Sequence, residues 1–201
     1  MQVPTTAISQ QIWRSLKTGS QQALEKLYLE YAGKLYNYGS KFTRDRELVK
    51  DCIQELFITL WDRRQHLGEP ANIGNYLYKA FRSAIFKKTA ALNRRESFTQ
   101  AEHYPFYAVL SIQDHLIEDE KNKDIRVRLQ TAMTKLTGRQ QEAIYLKFYE
   151  NLSYDEIAGI MDISTKGTYK LMARALDVLR SGLEKEDIWL LFTLLYLKLF
   201  H

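Results

Sequence analysis

Residues 152–181, LSYDEIAGIMDISTKGTYKLMARALDVLRS, decide how the C-terminal half folds. Ser153 followed three residues later by Glu156 supplies both halves of a capping box, and Leu152 and Ile157 flank that cap at hydrophobic-staple positions. The spacing predicts a helix from Tyr154 to near Met161, a three-residue turn of Asp162, Ile163 and Ser164, and a second helix from Thr165 to about Ser181. That is the spacing of a helix-turn-helix. Asp162 stands where many such turns carry Gly, and Asp tolerates the left-handed conformation better than most residues. Ala158 is small where the helices would cross; Ile157, Met161, Ile163, Leu171 and Leu176 are expected to face inward. Thr165, Lys166, Tyr169, Lys170, Ala173 and Arg174 would then face out, a set of donors that can reach base edges and phosphates. The plainer alternative is a three-helix core with a solvated basic face.

Working outward, Thr137 and Gln140 form a second capping box, and Ile125, Leu129, Ala132, Met133 and Leu136 recur at helical spacing before it. Residues 96–116 lose all periodicity; Pro105 interrupts, and Tyr104, Phe106 and Tyr107 share no face, as in a linker. Those aromatics could touch a neighbouring domain or thread a groove in a partner. Further upstream, Leu24, Leu27, Tyr28, Tyr31, Leu35, Tyr38 and Phe42 line one face of a long helix that begins after the break at Gly19 and the cap at Ser20. A second helix to about Arg64 turns Val49, Ile53, Leu56 and Leu60 inward and stops before the turn at Gly68 to Pro70; a third runs from about Ala71 to Arg95. With no alternating strand pattern, this reads as a helical bundle, and the chain as all-α with two small helical domains.

The whole is 201 residues, 45% hydrophobic and 26% charged, with 9 Gly, 3 Pro and 1 Cys, which excludes a disulfide scaffold, a collagen and a disordered tail. The first 20 residues lack an export signal, and a single thiol agrees with a reducing compartment, so a cytoplasmic location is expected. The net charge of +5 is unevenly placed. Lys79, Arg82, Lys87, Lys88, Arg94 and Arg95 fall between Tyr76 and Arg95 with no acid among them, whereas five acids oppose two lysines between Ile112 and Asp124. The basic run is interleaved with Tyr76, Tyr78, Phe81 and Phe86, a mixture suited to phosphates and unpaired bases, although Tyr78, Phe81 and Ile85 share a face and read as packing.

Three stretches resemble the extracytoplasmic-function sigma factors of the sigma-70 family, two-domain initiation factors that bring core RNA polymerase to promoters. DCIQELFITLW resembles the family's D-x-x-Q-E-x-F signature through Asp51, Gln54, Glu55, Phe57 and Trp61; the resemblance implies that these residues bind core polymerase. NYLYKAFRSAIFKK from Asn75 resembles the helix that handles the minus-10 element, which implies promoter DNA contacts for Lys79, Arg82, Lys87 and Lys88. LTGRQQEAIYLKFYENLSYDEIAGIMDIS from Leu136 is similar to region 4, which binds the minus-35 element, here through Thr165, Lys166, Tyr169, Lys170 and Arg174. Ser83 and Lys87 stand where many relatives carry Asn and an acid or amide, and Thr137 where many carry Pro. The resemblance implies region 2 at 1–96, a linker at 97–117, region 4 at 118–185 and a hydrophobic tail at 186–201, with core RNA polymerase and promoter DNA as partners. An anti-sigma factor or an intramolecular contact with the tail would regulate it.

No catalytic residues, metal site, cofactor or small-molecule substrate are expected. His66, His103, His115 and His201 are not spaced with one another or with Cys52 as metal ligands, and no phosphate-cradling loop or nucleophile elbow is present. Cys52 is expected to be an inert thiol. Asp51 and Glu55, four residues apart, leave open a nuclease with carboxylate-bound metal. Leu136, Thr137 and Glu142 also suit a regulator of the response-regulator output type, which would bind duplex DNA without being a polymerase subunit. The tail IWLLFTLLYLKLF from Ile188 is apolar on nearly every side, yet 13 helical residues reach only about 20 Å, too short for a bilayer core. It could complete the region 4 core, attach to a membrane surface, or pack on the first domain and hold the factor inactive, with Glu184, Glu186 and Asp187 as a hinge.

Overall fold

The computed structural model describes residues 5–93, 104–107, 128 and 130–181. The expectations for the tail, for the acidic segment at 112–124 and for Arg94 and Arg95 lie outside the described residues. The chain divides into two units, Met1–Ala101 and Glu102–His201.

Within the first unit, α1 (Thr5–Lys17), α2 (Gln21–Gly39), α3 (Arg46–Asp62) and α4 (Ile73–Asn93) follow one another, with a single 3-10 turn (Arg64–His66) after α3. Gly19 takes φ +94 and ends the first run. The Ser20 hydroxyl then accepts from the Ala23 N–H at 3.3 Å, and the Asp45 carboxylate accepts from the Leu48 N–H at 3.0 Å, so α2 and α3 each satisfy one of their unpaired first-turn donors. Beyond the three long helices that the periodicity predicts, α1 is a fourth, held by Trp13 and Leu16, both wholly buried. The Trp13 indole donates to the Gly68 carbonyl at 2.9 Å, and Gln10 donates to that of Pro70 at 2.7 Å, which pins the turn leading into α4.

Aromatic rings fill the centre of this unit. Tyr38 lies 5.1 Å from Phe42, 5.2 Å from Tyr78 and 6.2 Å from Phe81, and Phe42 lies 5.2 Å from Phe86. A Cβ on Gly39 would sit 2.7 Å from the Phe81 ring and 2.8 Å from Val49, so the end of α2 can approach α3 and α4 this closely only as glycine. Phe86, expected among the rings available to bases, is 2% exposed; of those four aromatics only Tyr76 is open to solvent, its ring edge against Trp13 at 5.3 Å.

The second unit contains α5 (Gly138–Phe148), α6 (Tyr154–Met161) and α7 (Thr165–Ser181). Both capping boxes form: Thr137 with Gln140 at the start of α5, Ser153 with Glu156 at the start of α6. Asp162 is left-handed at φ 56, ψ 49, and the helix-turn-helix is present as read. The inward face of α7 is set differently from the expectation. Thr168, Met172, Ala175 and Leu179 are buried, while Leu171 and Leu176 are half-buried flanks, because the stripe that meets α5 and α6 runs through 168, 172, 175 and 179, between those two leucines.

Part of the stretch read as linker belongs to this unit. Tyr104 and Phe106 are buried, with Phe106 5.8 Å from the Tyr145 ring and the Tyr104 hydroxyl donating to the fully buried Glu142 carboxylate. A Cβ at Gly138 would collide with the Tyr104 carbonyl, so the absence of a side chain there lets residues 104–107 lie directly across the start of α5.

Candidate protein and nucleic-acid surfaces

Helix α3 buries Val49, Cys52, Ile53, Phe57 and Leu60 and leaves Asp51, Gln54 and Glu55 exposed one turn apart. Ile58, missed in the sequence reading, is 51% exposed and follows Gln54 and Glu55 on the same face. Helical spacing alone would have found it, since 58 is four residues after 54. An exposed apolar side chain with polar residues around it has the core-and-rim make-up of a protein-binding surface. Phe57 corrects the expectation: it is 5% exposed, edge-on to Tyr28 at 5.1 Å, so it shapes the face from beneath instead of touching a partner. Trp61 is half-buried, with the Arg64 guanidinium 4.3 Å above its ring.

Lys79 and Lys87 project from α4, whereas Arg82 is 9% exposed and its guanidinium stacks on Phe86 at 4.4 Å. That corrects its reading as a direct DNA contact, because a cation lying along a buried ring supports packing. Lys88 is partly covered and donates to Glu55 at 2.6 Å, which raises its pKa. Among the described residues the run therefore presents Lys79 and Lys87 as exposed lysines, Lys88 as partly covered and Arg82 as buried.

On α7, Lys166, Tyr169, Lys170 and Arg174 are exposed together, as expected, and Tyr169 retains 56% of its surface. Thr165 is half-buried and its hydroxyl donates to Asp155 at 2.7 Å. Arg139, which the sequence reading did not single out, lines a groove of about 290 Å³ with Lys170 and Arg174 where α7 passes the start of α5. Three cations beside the N-terminal N–H groups of α5 make a field that favours phosphate.

Two family models match the chain: sigma-70 region 2 over residues 27–97 and sigma-70 region 4 over residues 126–179. The chain belongs to the sigma-70 family, in its extracytoplasmic-function group. It is similar to the RNA polymerase sigma-H factor of Pseudomonas aeruginosa, 22% identical across 87% of this chain and 93% of that one. It is also 23% identical to the ECF RNA polymerase sigma factor SigK of Mycolicibacterium vanbaalenii, covering 76% and 78%. Among solved structures, CnrH in complex with the cytosolic domain of CnrY aligns with TM-score 0.58 at 16% identity over 86% of this chain and 95% of that one. The sigma factor RpoE of Bartonella quintana, in complex with the anti-sigma factor NepR, aligns with TM-score 0.53 at 18% identity over 79% and 94%. This sigma factor binds core RNA polymerase and directs initiation at particular promoters, its two regions lying one in each unit.

Among the described residues no group of His, Cys, Asp and Glu could hold a metal ion, and no helix is long and apolar enough to cross a membrane. Burial pushes the Cys52 thiol up to about 11, so it stays protonated near neutrality, as the inert-thiol reading requires.

Proposed function

We propose that the α3 face built from Asp51, Gln54, Glu55 and the flanking Trp61 docks on core polymerase, and that α4 and α7 handle the two promoter elements. Lys79, Lys87 and Lys88 serve the minus-10 strand; Lys166, Tyr169, Lys170 and Arg174 serve the minus-35 duplex. The observation that carries this is the segregation of charge: an exposed acidic turn on α3, and exposed cations on α7 opposite its buried stripe. The factor acts in the cytoplasm as a non-catalytic subunit, where polymerase and promoters are.

Purified protein tests this with core enzyme and a promoter library. Reversing Asp51 and Glu55 to Lys should weaken the association with core polymerase and lower initiation in proportion. Alanine at Lys170 or Arg174 should reduce use of promoters that depend on the upstream element, and alanine at Lys87 and Lys88 should impair opening. Unchanged transcription in all of these overturns the assignment.

CnrH and RpoE are bound in those structures to CnrY and NepR, and a partner of the anti-sigma kind would regulate this factor too. The tail at 186–201 is the other candidate for that role. Deleting residues 187–201 should raise core binding and promoter activity if the tail inhibits, and leave both unchanged if a separate chain does.

A further inference from the structure

The reading of α7 as the helix that meets duplex DNA accounts for its exposed side chains but not for how a bulky one among them is held. Tyr169 has 56% of its surface open, and an unsupported phenol there would sample several rotamers. It is not unsupported. The Tyr154 ring lies 4.2 Å from it, centroid to centroid, at an interplanar angle of 33°. Tyr154 is itself fixed from three directions. It is the first residue of α6, directly after the Ser153 cap whose box with Glu156 sets the backbone. The Lys147 ammonium stands 5.2 Å from its ring centroid, and that ammonium is tethered by donating to the Leu152 carbonyl at 3.1 Å. Beside it, Asp155 accepts from the Thr165 hydroxyl at 2.7 Å. The first turn of α6 is thus joined to α7 twice, by a hydrogen bond to Thr165 and by a ring pair with Tyr169 one turn further on.

We propose that Tyr154, which has no place among the expected DNA-contacting residues, is a positioning residue for promoter recognition: its ring holds Tyr169 in one orientation against the base-pair edges of the upstream element. This rests on the reading of α7 as the minus-35 helix. A held aromatic ring offers an apolar surface and one hydroxyl to the major groove, where the thymine methyl group is the apolar feature available. The ordering cost of that contact is met in the free protein by the pair and does not fall on binding. Tyr154 therefore acts on sequence preference, through Tyr169, without touching DNA.

The experiment is selection of promoters from a library randomised across the minus-35 element, using holoenzyme assembled with wild type, Tyr154→Ala, Tyr154→Phe, Tyr169→Ala and Lys170→Ala. Tyr154→Ala and Tyr169→Ala should flatten preference at the same base pairs, with about two- to tenfold loss on the best promoters, the size of an aromatic pair. Tyr154→Phe keeps the ring and should restore the wild-type pattern. A Tyr154→Ala, Tyr169→Ala double variant, assembled in the same way, should lose little more than Tyr169→Ala alone, since the two act as a unit. Should Tyr154→Ala melt below the assay temperature, Tyr154→Leu, which keeps apolar volume without an aromatic face, is read in its place with the same expectation. Preferences unchanged by Tyr154→Ala, or altered at base pairs that Tyr169→Ala leaves alone, overturn the inference. If Lys170→Ala changes preference while both tyrosine variants do not, the inference fails and the reading of α7 stands; if no variant changes it, both fail.

Discussion

Glu55 on α3 and Lys88 on α4, 33 residues apart in sequence, form an ion pair of 2.6 Å with 60% and 30% of their side chains exposed. One belongs to the proposed polymerase face and the other to the proposed promoter-strand set. The free factor thus neutralises a DNA-directed cation with a residue that polymerase would engage. An exposed pair of this kind is worth no more than about 1 kcal/mol, so it biases without locking. Glu55→Gln should raise the affinity of free protein for a single-stranded minus-10 oligonucleotide by a few-fold, measured by fluorescence anisotropy, and the gain should vanish in a Lys88→Ala background. Asp51→Asn makes the same charge change while leaving the Lys88–Glu55 hydrogen bond in place, so its effect should depend on Lys88 less than that of Glu55→Gln.

Gly138→Ala places a methyl group where the Tyr104 carbonyl lies, and residues 104–107 must move off α5. The Glu142 carboxylate then loses its bond from the Tyr104 hydroxyl while remaining buried, which costs about 1 to 3 kcal/mol. Denaturant unfolding should show that loss, and Tyr104→Phe should show a similar one without any backbone displacement. A Gly138→Ala protein as stable as wild type would mean the segment is not seated there in solution.

The two capping boxes set the entrances to α5 and α6, so Thr137→Ala and Ser153→Ala should each cost about 1 kcal/mol. Their effects on DNA should differ. Ser153 precedes the Tyr154 ring that meets Tyr169, whereas Thr137 adjoins the groove lined by Arg139, Lys170 and Arg174. Thr137→Ala is expected to reduce the salt dependence of duplex binding slightly, read as the slope of affinity against ionic strength.

Cys52 is buried and its thiol titrates at about 11 where the ordinary value is 9.0. The sign follows from which state loses its proton first. Below pH 9 both folded and unfolded chains keep the proton, and the shift has no effect on stability. Between 9 and 11 the unfolded chain ionises while the folded one does not, so stability should fall through that window as pH rises. Cys52→Ala should remove this part of the alkaline decline in a pH series of melts. Native protein should also alkylate slowly at pH 8 compared with urea-unfolded protein.

Local signals were legible in the sequence with little loss. The box at Ser153 and Glu156, the left-handed Asp162 and the break at Gly19 each depend on a few neighbouring residues, and each forms as read. Fully buried stripes were harder. On α7 the pattern favoured Leu171 and Leu176, but Met172, Ala175 and Leu179 occupy the centre of the contact. Periodicity gives the existence of an apolar face; its phase is set by the helices that pack on it.

What the sequence determined by itself is the order of the helices after α1, the caps at Ser20, Thr137 and Ser153, the helix-turn-helix and the family, because these are written in contiguous residues and their spacing. Tertiary structure alone decided which members of each motif reach solvent. Phe57 and Arg82 carry the right chemistry for a partner, yet one turns under Tyr28 and the other along Phe86, since neighbouring helices bury those positions. The same packing joined pairs that no local pattern could announce: Lys88 with Glu55, Tyr104 with Glu142, and Tyr169 with Tyr154. Such pairs depend on how separate elements approach, and the energy that sets the approach is the burial of the apolar stripes, which the polar partners then follow.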